Sequence, residues 1–399
     1  MKVLFVGSEL FFGTSVGGFR QDRWIKAFIE AGHSCTVVDY ASLMPKCHSA
    51  SAWAEYAEFR QKIKGNIPKK SSVRQGVIAS VLRWLKHFFI VEVFHPLVWV
   101  KIFIIYWRFR HKKFDLVFAS TPPFTSAIIS TSLLRLGIAK RQIIDFRDEW
   151  ADSLYLPRQS FISKKLIEEV VVKSSFYCIT VSDYSKQNLQ KLYAYPRIAL
   201  VYNAPDITYV RNKYIVEHSN DPQLKILYTG SFPEKTYNYP ALFNLIDRCS
   251  QSFADNMEFI FVGSTLALQR VGNLSNARYL QQLSAEESRK MQQWADCLLF
   301  VAADFPCNGG IVSWKIFEYI QSERPFLPLF VHEGSDVHHI ISMACGFCPV
   351  IHTWEQLYAI LNGINKENII HRLPSFKNRG FFDDLLAAYP NFVKRITHD

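Results

Sequence analysis

The sequence predicts an α/β protein made of two doubly wound parallel sheets. Three observations lead there. Short apolar runs alternate with amphipathic helical stretches along most of the 399 residues. The alternation stops at a polar stretch ending near Pro222 and restarts at Lys225. Glycine-rich or charged loops follow the apolar runs, where open α/β sheets bind ligands.

Val3 to Val6 reads as a buried strand. A loop from Gly7 to Gly18 follows, then a helix from about Phe19 to Ala31, stopped by Gly32. Cys35 to Val38 is a second strand with Asp39 at its end. This is a βαβ opening. It lacks G-x-G-x-x-G between strand and helix, which argues against a nicotinamide dehydrogenase. Gly17 and Gly18 are either plain loop residues or backbone that lets a phosphate come close.

From Ala41 to Lys113 the pattern changes. Lys62, Lys64, Lys69, Lys70 and Arg74 form a basic run. The apolar stretch from Phe88 to Trp107 has the length of a membrane span. It also carries Glu92, His95, Pro96 and Lys101, each costly in hydrocarbon. Its aromatics and flanking bases suit a helix on the membrane surface, with a buried helix of a large α/β domain as the other reading.

Phe114 to Ala119 is the next strand, and the loop STPPFTSA opens a helix to about Leu136. Gln142 to Phe146 leads into Arg147, Asp148, Glu149 and Trp150. Those charges sit either at a ligand position or in a loop salt bridge. Phe176 to Val181 is a strand, Ser182 can cap the helix after it, and Ile198 to Tyr202 closes the first half.

In the second half, strands are expected at Lys225 to Tyr228, Met257 to Val262, Cys297 to Val301, Phe326 to Phe330 and Phe347 to Val350. Ser284 and Glu287 match a capping box for a helix to Ala295. Another helix is expected near Val337 to Met343, and the tail from Phe381 to Ile396 reads as helical.

The stretch Asn308 to Pro325 carries the most chemistry. Gly309 and Gly310 make a turn, and Ser313 suits a helix N-cap. Ile316, Phe317 and Ile320 share a buried face, with Lys315 and Glu318 on the other. A glycine turn feeding a helix N-terminus is an anion site. Lys315 adds positive charge, and Glu318 one turn deeper could grip sugar hydroxyls. The pattern suits a nucleoside diphosphate with its ribose, or else a surface helix with a Lys–Glu pair.

Composition sets limits. The chain is 49% hydrophobic and 20% charged, enough for large cores and too apolar for disorder. The opening MKVLFVGSELFFG lacks the parts of a signal peptide, so a reducing cytoplasm is expected. Eight cysteines do not make a disulfide scaffold at this length. Cys345 and Cys348 form one C-x-x-C without evident partners, which reads as two small buried residues. Residues 1–206 hold 29 Lys and Arg against 16 Asp and Glu, whereas residues 207–399 hold 17 against 19. The basic half suits an anionic partner: membrane lipid, a phosphate-bearing acceptor or nucleic acid.

An ordered set of stretches resembles the GT-B glycosyltransferases, specifically the family 4 type of bacterial surface polysaccharide synthesis. The stretches are SVGGFRQDRWIKAFIEAGHSCTVV, FDLVFASTPPFTSA, QIIDFRDEWADS, CITVSDYSKQNL, IALVYNAPD, KILYTGSFPEK, FIFVGS and GGIVSWKIFEYIQSERPFL. The resemblance implies two Rossmann-like domains facing an interdomain cleft. Residues 1–206 would form the acceptor side and 223–376 the nucleotide-sugar side, with 377–399 crossing back as a helix.

The resemblance also implies site residues. Gly17 and Gly18 would approach the donor phosphate. Lys235 would neutralise the diphosphate, Gly310, Ser313 and Lys315 would flank it, and Glu318 would hold the ribose. Arg147 stands where the family's strand often ends in His, with Asp148 beside it, and these two are the candidate catalytic groups. Two further departures are Gly310, where an earlier Glu is common, and Ser231-Phe232 after Gly230, where an Arg is usual.

The implied reaction transfers a sugar from a nucleotide-sugar donor to a glycan or lipid-linked acceptor, with retention of configuration. No cofactor is expected, and the absence of a D-x-D stretch fits a metal-independent site. The expected partners are donor, acceptor and an anionic membrane surface, with no nucleic acid. The location would be cytoplasmic, peripheral on the inner membrane face. A nucleotide-sugar epimerase on the same scaffold and a non-catalytic membrane-associated protein are the alternatives. Gly310 and Arg147 favour the second.

Overall fold

The computed structural model describes residues 1–7, 16–40, 46–49, 96–151, 161–204, 222–230, 236–263, 274 and 276–398. The basic run from Lys62 to Arg74, the apolar residues 88–95 and most of the polar stretch before Pro222 lie outside them. The chain divides into two units, Met1–Asn203 with Leu385–Asp399, and Ala204–Asp384.

The first unit holds strands β1 (Lys2–Gly7), β2 (Ser34–Asp39), β3 (Lys46–Ser49), β4 (Phe114–Thr121), β5 (Ala139–Phe146), β6 (Tyr177–Thr180) and β7 (Ile198–Leu200). They form one sheet in the order β3-β2-β1-β4-β5-β6-β7. All neighbours are parallel except β2 and β3. Strand order reverses between β1 and β4, the switch point of a doubly wound sheet. Its helices are α1 (Val16–Glu30), α2 (Pro96–Phe109), α3 (Thr125–Arg135), α4 (Phe161–Ser174) and α5 (Asp183–Tyr193). Ser182 caps α5 by accepting from the Ser185 N–H.

The second unit holds β8 (Leu224–Thr229), β9 (Met257–Val262), β10 (Ala277–Leu280), β11 (Cys297–Val301) and β12 (Phe326–Leu329). These strands run parallel in the order β10-β9-β8-β11-β12, with the switch between β8 and β11. The helices are α6 (Tyr239–Phe253), α7 (Ala285–Trp294), α8 (Trp314–Gln321), α9 (Asp336–Cys345), α10 (Trp354–Leu361) and α11 (Ile369–Arg372). Ser284 and Glu287 form the capping box of α7. Phe347 to Val350, expected as a strand, has no regular structure. It follows the left-handed Gly346 that ends α9, and no strand pairs with it. Burial pushes the Cys345 and Cys348 thiols up to about 12, which disfavours thiolate chemistry.

The last helix, α12 (Phe381–His398), joins the first unit from Leu385 onward. Tyr389 and Phe392 pack on Trp24 of α1, with ring centroids 4.5 and 5.5 Å away. Beneath them lies a fully buried ion pair, Arg20 to Asp145 at 2.7 Å. Ser120 donates a second bond to Asp145, and Arg20 also donates to the Tyr389 hydroxyl and the Tyr202 carbonyl. A buried charge pair is tolerated when its remaining hydrogen-bonding capacity is met, as here. The pair binds α1, β5 and α12 into one core.

Candidate functional site

The second unit gathers its chemistry at the carboxyl ends of β8 and β11, on either side of its switch point. The turn after β11 runs through four consecutive left-handed residues, Cys307, Asn308, Gly309 and Gly310. Asn308, buried, holds that turn. Its amide donates to the Ala303 and Phe330 carbonyls, and its oxygen accepts from the His332 N–H. Glycine suits the last two positions because a left-handed backbone strains any residue with a Cβ. Gly310 sits at φ 65, so the position is shaped for glycine.

The turn delivers Ser313 and then α8. Ser313 is the N-cap residue, but its hydroxyl does not cap the helix. It hydrogen-bonds Tyr237 instead. The Ser313 side chain therefore does not cap the first turn, where the Ile316 N–H donates to the Ser313 carbonyl.

Lys315 leaves the first turn of α8 and reaches across to β8. Its ammonium donates to the Tyr228 hydroxyl and lies 4.2 Å from that ring's centroid. Gly230 makes room for it. A Cβ there would stand 2.5 Å from the Lys315 Cε and 2.8 Å from its Nζ. Burial depresses the Lys315 pKa to about 7, with Glu318 opposing. The Tyr228 phenol is raised far above its ordinary value by burial, with Tyr237, Tyr319 and Tyr239 adding to the shift. Lys315 is thus seated in the protein, not on a solvated helix face.

Glu318, one turn on, is partly buried. Its carboxyl pKa is raised by burial, while Arg289 and Lys315 act against that shift. The side chains of Trp314 and Gln292 donate to it. Gln292 also donates to the Thr229 hydroxyl at 3.0 Å, tying α7 to the end of β8. Lys315 and Glu318 are therefore brought together, with Arg289 as a second cation nearby. Lys235 lies outside the described residues.

The other candidates stand in the first unit. Gly17 and Gly18 belong to the first turn of α1, not to the loop expected before it, and Gly18 is buried. Arg147 folds back over the ends of β4 and β5. Its backbone N–H and its Nε both donate to the Thr121 carbonyl, and a further guanidinium N–H donates to that of Pro122. Burial lowers its pKa, with Asp145 and Asp148 opposing. Asp148 keeps an exposed surface, yet the protein around it raises its carboxyl pKa and Arg147 opposes. Among the described residues, no group of three or more His, Cys, Asp or Glu is arranged to hold a metal ion.

Tyr228, Arg289 and Gln292 were not singled out from the sequence, and Gly230 was noted only for the residues after it. A signal existed for Tyr228, since Tyr228-Thr229-Gly230 closes a buried strand. Arg289 and Gln292 look like exposed residues of an ordinary capped helix.

No family model matches this chain, and no curated protein matches it. Solved structures do. The chain is similar to sucrose-phosphate synthase from Thermosynechococcus elongatus, at 9% identity and TM-score 0.59, over 100% of this chain and 99% of that one. It is similar to UDP-GlcNAc 2-epimerase from Methanocaldococcus jannaschii, at 11% identity and TM-score 0.54, over 100% of both chains. It is also similar to the catalytic domain of starch synthase IV from Arabidopsis thaliana bound to ADP and acarbose, at 8% identity and TM-score 0.53, over 98% of this chain and 99% of that one. Glycosyltransferases and epimerases share this scaffold, so the likeness reaches the fold and stops there: the chain has the GT-B fold, with two Rossmann-like units.

Proposed function

We propose that this protein is a glycosyltransferase that moves a sugar from a nucleotide-sugar donor to a glycan or lipid-linked acceptor. The observation that carries the reading is the seating of Lys315 beside the first turn of α8, with Glu318 one turn deeper, at the switch point of the second sheet. As the bond to the sugar breaks, negative charge grows on the departing nucleoside diphosphate. Lys315, Lys235 and the α8 N-terminus meet that charge without calling for a metal. Glu318 accepts hydrogen bonds from the ribose hydroxyls. Gly310 and Ser313 flank the diphosphate, and Gly17 and Gly18 let backbone come near it. Arg147 and Asp148 are the groups assigned to the reacting sugar. Retention of configuration, the family 4 relation and a place in bacterial surface polysaccharide synthesis rest on the sequence resemblance. A place at an anionic membrane surface rests instead on the basic first half and its aromatic stretch.

The test is a screen of UDP-, GDP- and ADP-sugars by thermal shift, since a bound donor stabilises the native state. Nucleoside diphosphate release is then measured with and without lipid-linked acceptor. A transferase releases it with acceptor. Failure of every nucleotide sugar to stabilise the protein would remove the proposal. The full-length likeness to a UDP-GlcNAc 2-epimerase favours one other reading, an epimerase. Conversion of the donor sugar with no acceptor present would select it.

A further inference from the structure

We infer that the outer face of α2 is the surface by which this protein lies on an anionic lipid bilayer. Val98, Ile102, Ile105 and Phe109 face inward and belong to the core of the first unit. Trp99, Phe103 and Trp107 recur at every fourth position on the opposite side and are 53%, 62% and 57% exposed. Phe103 stacks on Trp107 at 6.0 Å, and the Arg110 guanidinium lies 3.6 Å from the Trp107 ring centroid. The stripe is thus continuous and ends in a cation. Single exposed apolar residues need no explanation, but a contiguous aromatic stripe does.

The charge around the stripe selects its occupant. No Asp or Glu occurs from Pro96 to Lys113, whereas Arg108, Arg110, Lys112 and Lys113 follow the last aromatic turn. Tryptophans on one face with bases at one end match the headgroup boundary, where ring and ammonium each find a suitable medium. A second copy meeting this one through the same face would offer no Asp or Glu of this segment to pair with these bases. The described helix lies along the protein, because Val98, Ile102, Ile105 and Phe109 pack in the core of the first unit. Among the described residues no helix is long and apolar enough to cross a membrane.

This face deepens the transferase reading, because a lipid-linked acceptor is presented at a bilayer. Its test does not depend on that reading. The full-length chain is floated with phosphatidylcholine vesicles, alone or mixed with phosphatidylglycerol. The unaltered chain should float with the mixed vesicles and be released by salt. Phe103→Ser with Trp107→Ser should lower partitioning about tenfold. Arg108→Gln with Lys112→Gln should lower it about fivefold for each charge removed. Both pairs are exposed, and unchanged melting confirms folding.

Acyl chains brominated near the headgroup should quench Trp fluorescence, and Trp99→Phe with Trp107→Phe should remove most of that quenching while flotation persists. This readout serves even if the serine pair unfolds. No flotation of the unaltered chain, or full flotation of a folded serine pair, overturns the inference. So does a vesicle-indifferent dimer that the serine pair makes monomeric, which would assign the face to a second copy. Donor stabilisation is measured on the same proteins. Lost flotation with donor binding intact fails only the lipid surface, and the reverse fails only the transferase.

Discussion

Replacing Gly230 by Ala should detach Lys315 without touching Lys315 itself. Two consequences follow from the geometry. The new Cβ would stand 2.5 Å from the Lys315 Cε, far inside van der Waals contact. The clashing atoms are the end of a flexible side chain, so Lys315 moves away from Tyr228 while the backbone of β8 stays. Separately, φ at position 230 is +115, where a residue with a Cβ is strained. That strain costs about 1–3 kcal/mol. Each kcal/mol lowers the melting temperature by about 2–4 °C for a unit the size of Ala204–Asp384. For binding, a charge-assisted hydrogen bond contributes roughly 1.5–3 kcal/mol, so losing it weakens a nucleoside diphosphate about ten- to a hundredfold. Gly230→Ala and Lys315→Ala should therefore cause similar losses. The double variant should bind no worse than Lys315→Ala, because both act on one contact. Calorimetric titration of UDP, GDP and ADP into the three proteins, with melting run beside it, makes the comparison. A folded Gly230→Ala protein that binds the diphosphate as the parent does would refute the idea that Lys315's seat on Tyr228 matters for the anion.

Glu318→Ala should weaken donor binding by about one to two orders of magnitude, and Glu318→Gln less, because an amide oxygen still accepts from ribose. Equal donor affinity in a folded Glu318→Ala protein would leave the residue as a partner for its protein neighbours Arg289, Lys315, Trp314 and Gln292. Lys315, held near 7, must be charged to meet a diphosphate, so affinity should fall by up to about tenfold per pH unit above 7. Lys315→Arg should flatten that dependence. In the ligand-free protein the sign reverses. The unfolded lysine keeps its proton up to about its ordinary 10.5, the folded one only to about 7, so this group alone makes stability rise with pH across that window. A urea midpoint series comparing parent and Lys315→Met reads its share. Asp145→Asn should destabilise by about 3–5 kcal/mol, since Arg20 then remains buried without a counter-charge. Tyr389→Phe, which removes its bonds with Arg20 and the Tyr202 carbonyl, should lose roughly 1.5–3 kcal/mol for the charged bond and about 0.5–1.5 kcal/mol for the other. Chemical denaturation measures both.

What depends on near neighbours could be read from the residues alone. Val3 to Val6 or Met257 to Val262 is a run too apolar to be anything but buried, and alternation with helices fixes a parallel arrangement. Ser182 and Ser284 cap their helices because a cap needs only the N–H groups two or three residues on. The equivalent signal at Thr353 and Gln356 was present and unread, and α10 with it. Helix α4 was also unread, and β3 is a short antiparallel strand whose existence depends on its pairing with β2. The order of chemistry along Asn308 to Pro325 likewise suggested an anion site, because a glycine turn followed by a helix is a local pattern. The state of each group in that stretch was decided elsewhere. Lys315 meets Tyr228 across 87 residues of chain and a gap that Gly230 leaves open. Arg20 meets Asp145 across 125 residues. Ser313 turns from its own helix to Tyr237. Charge, reach and periodicity belong to the residue and its neighbours, whereas burial and partnership belong to whatever the folded chain brings alongside. The sequence alone therefore determined the α/β class, the alternation of strands with helices and the place of the glycine turn before α8. Only the tertiary structure decided which charges are desolvated and which are paired, because desolvation comes from atoms distant in the chain.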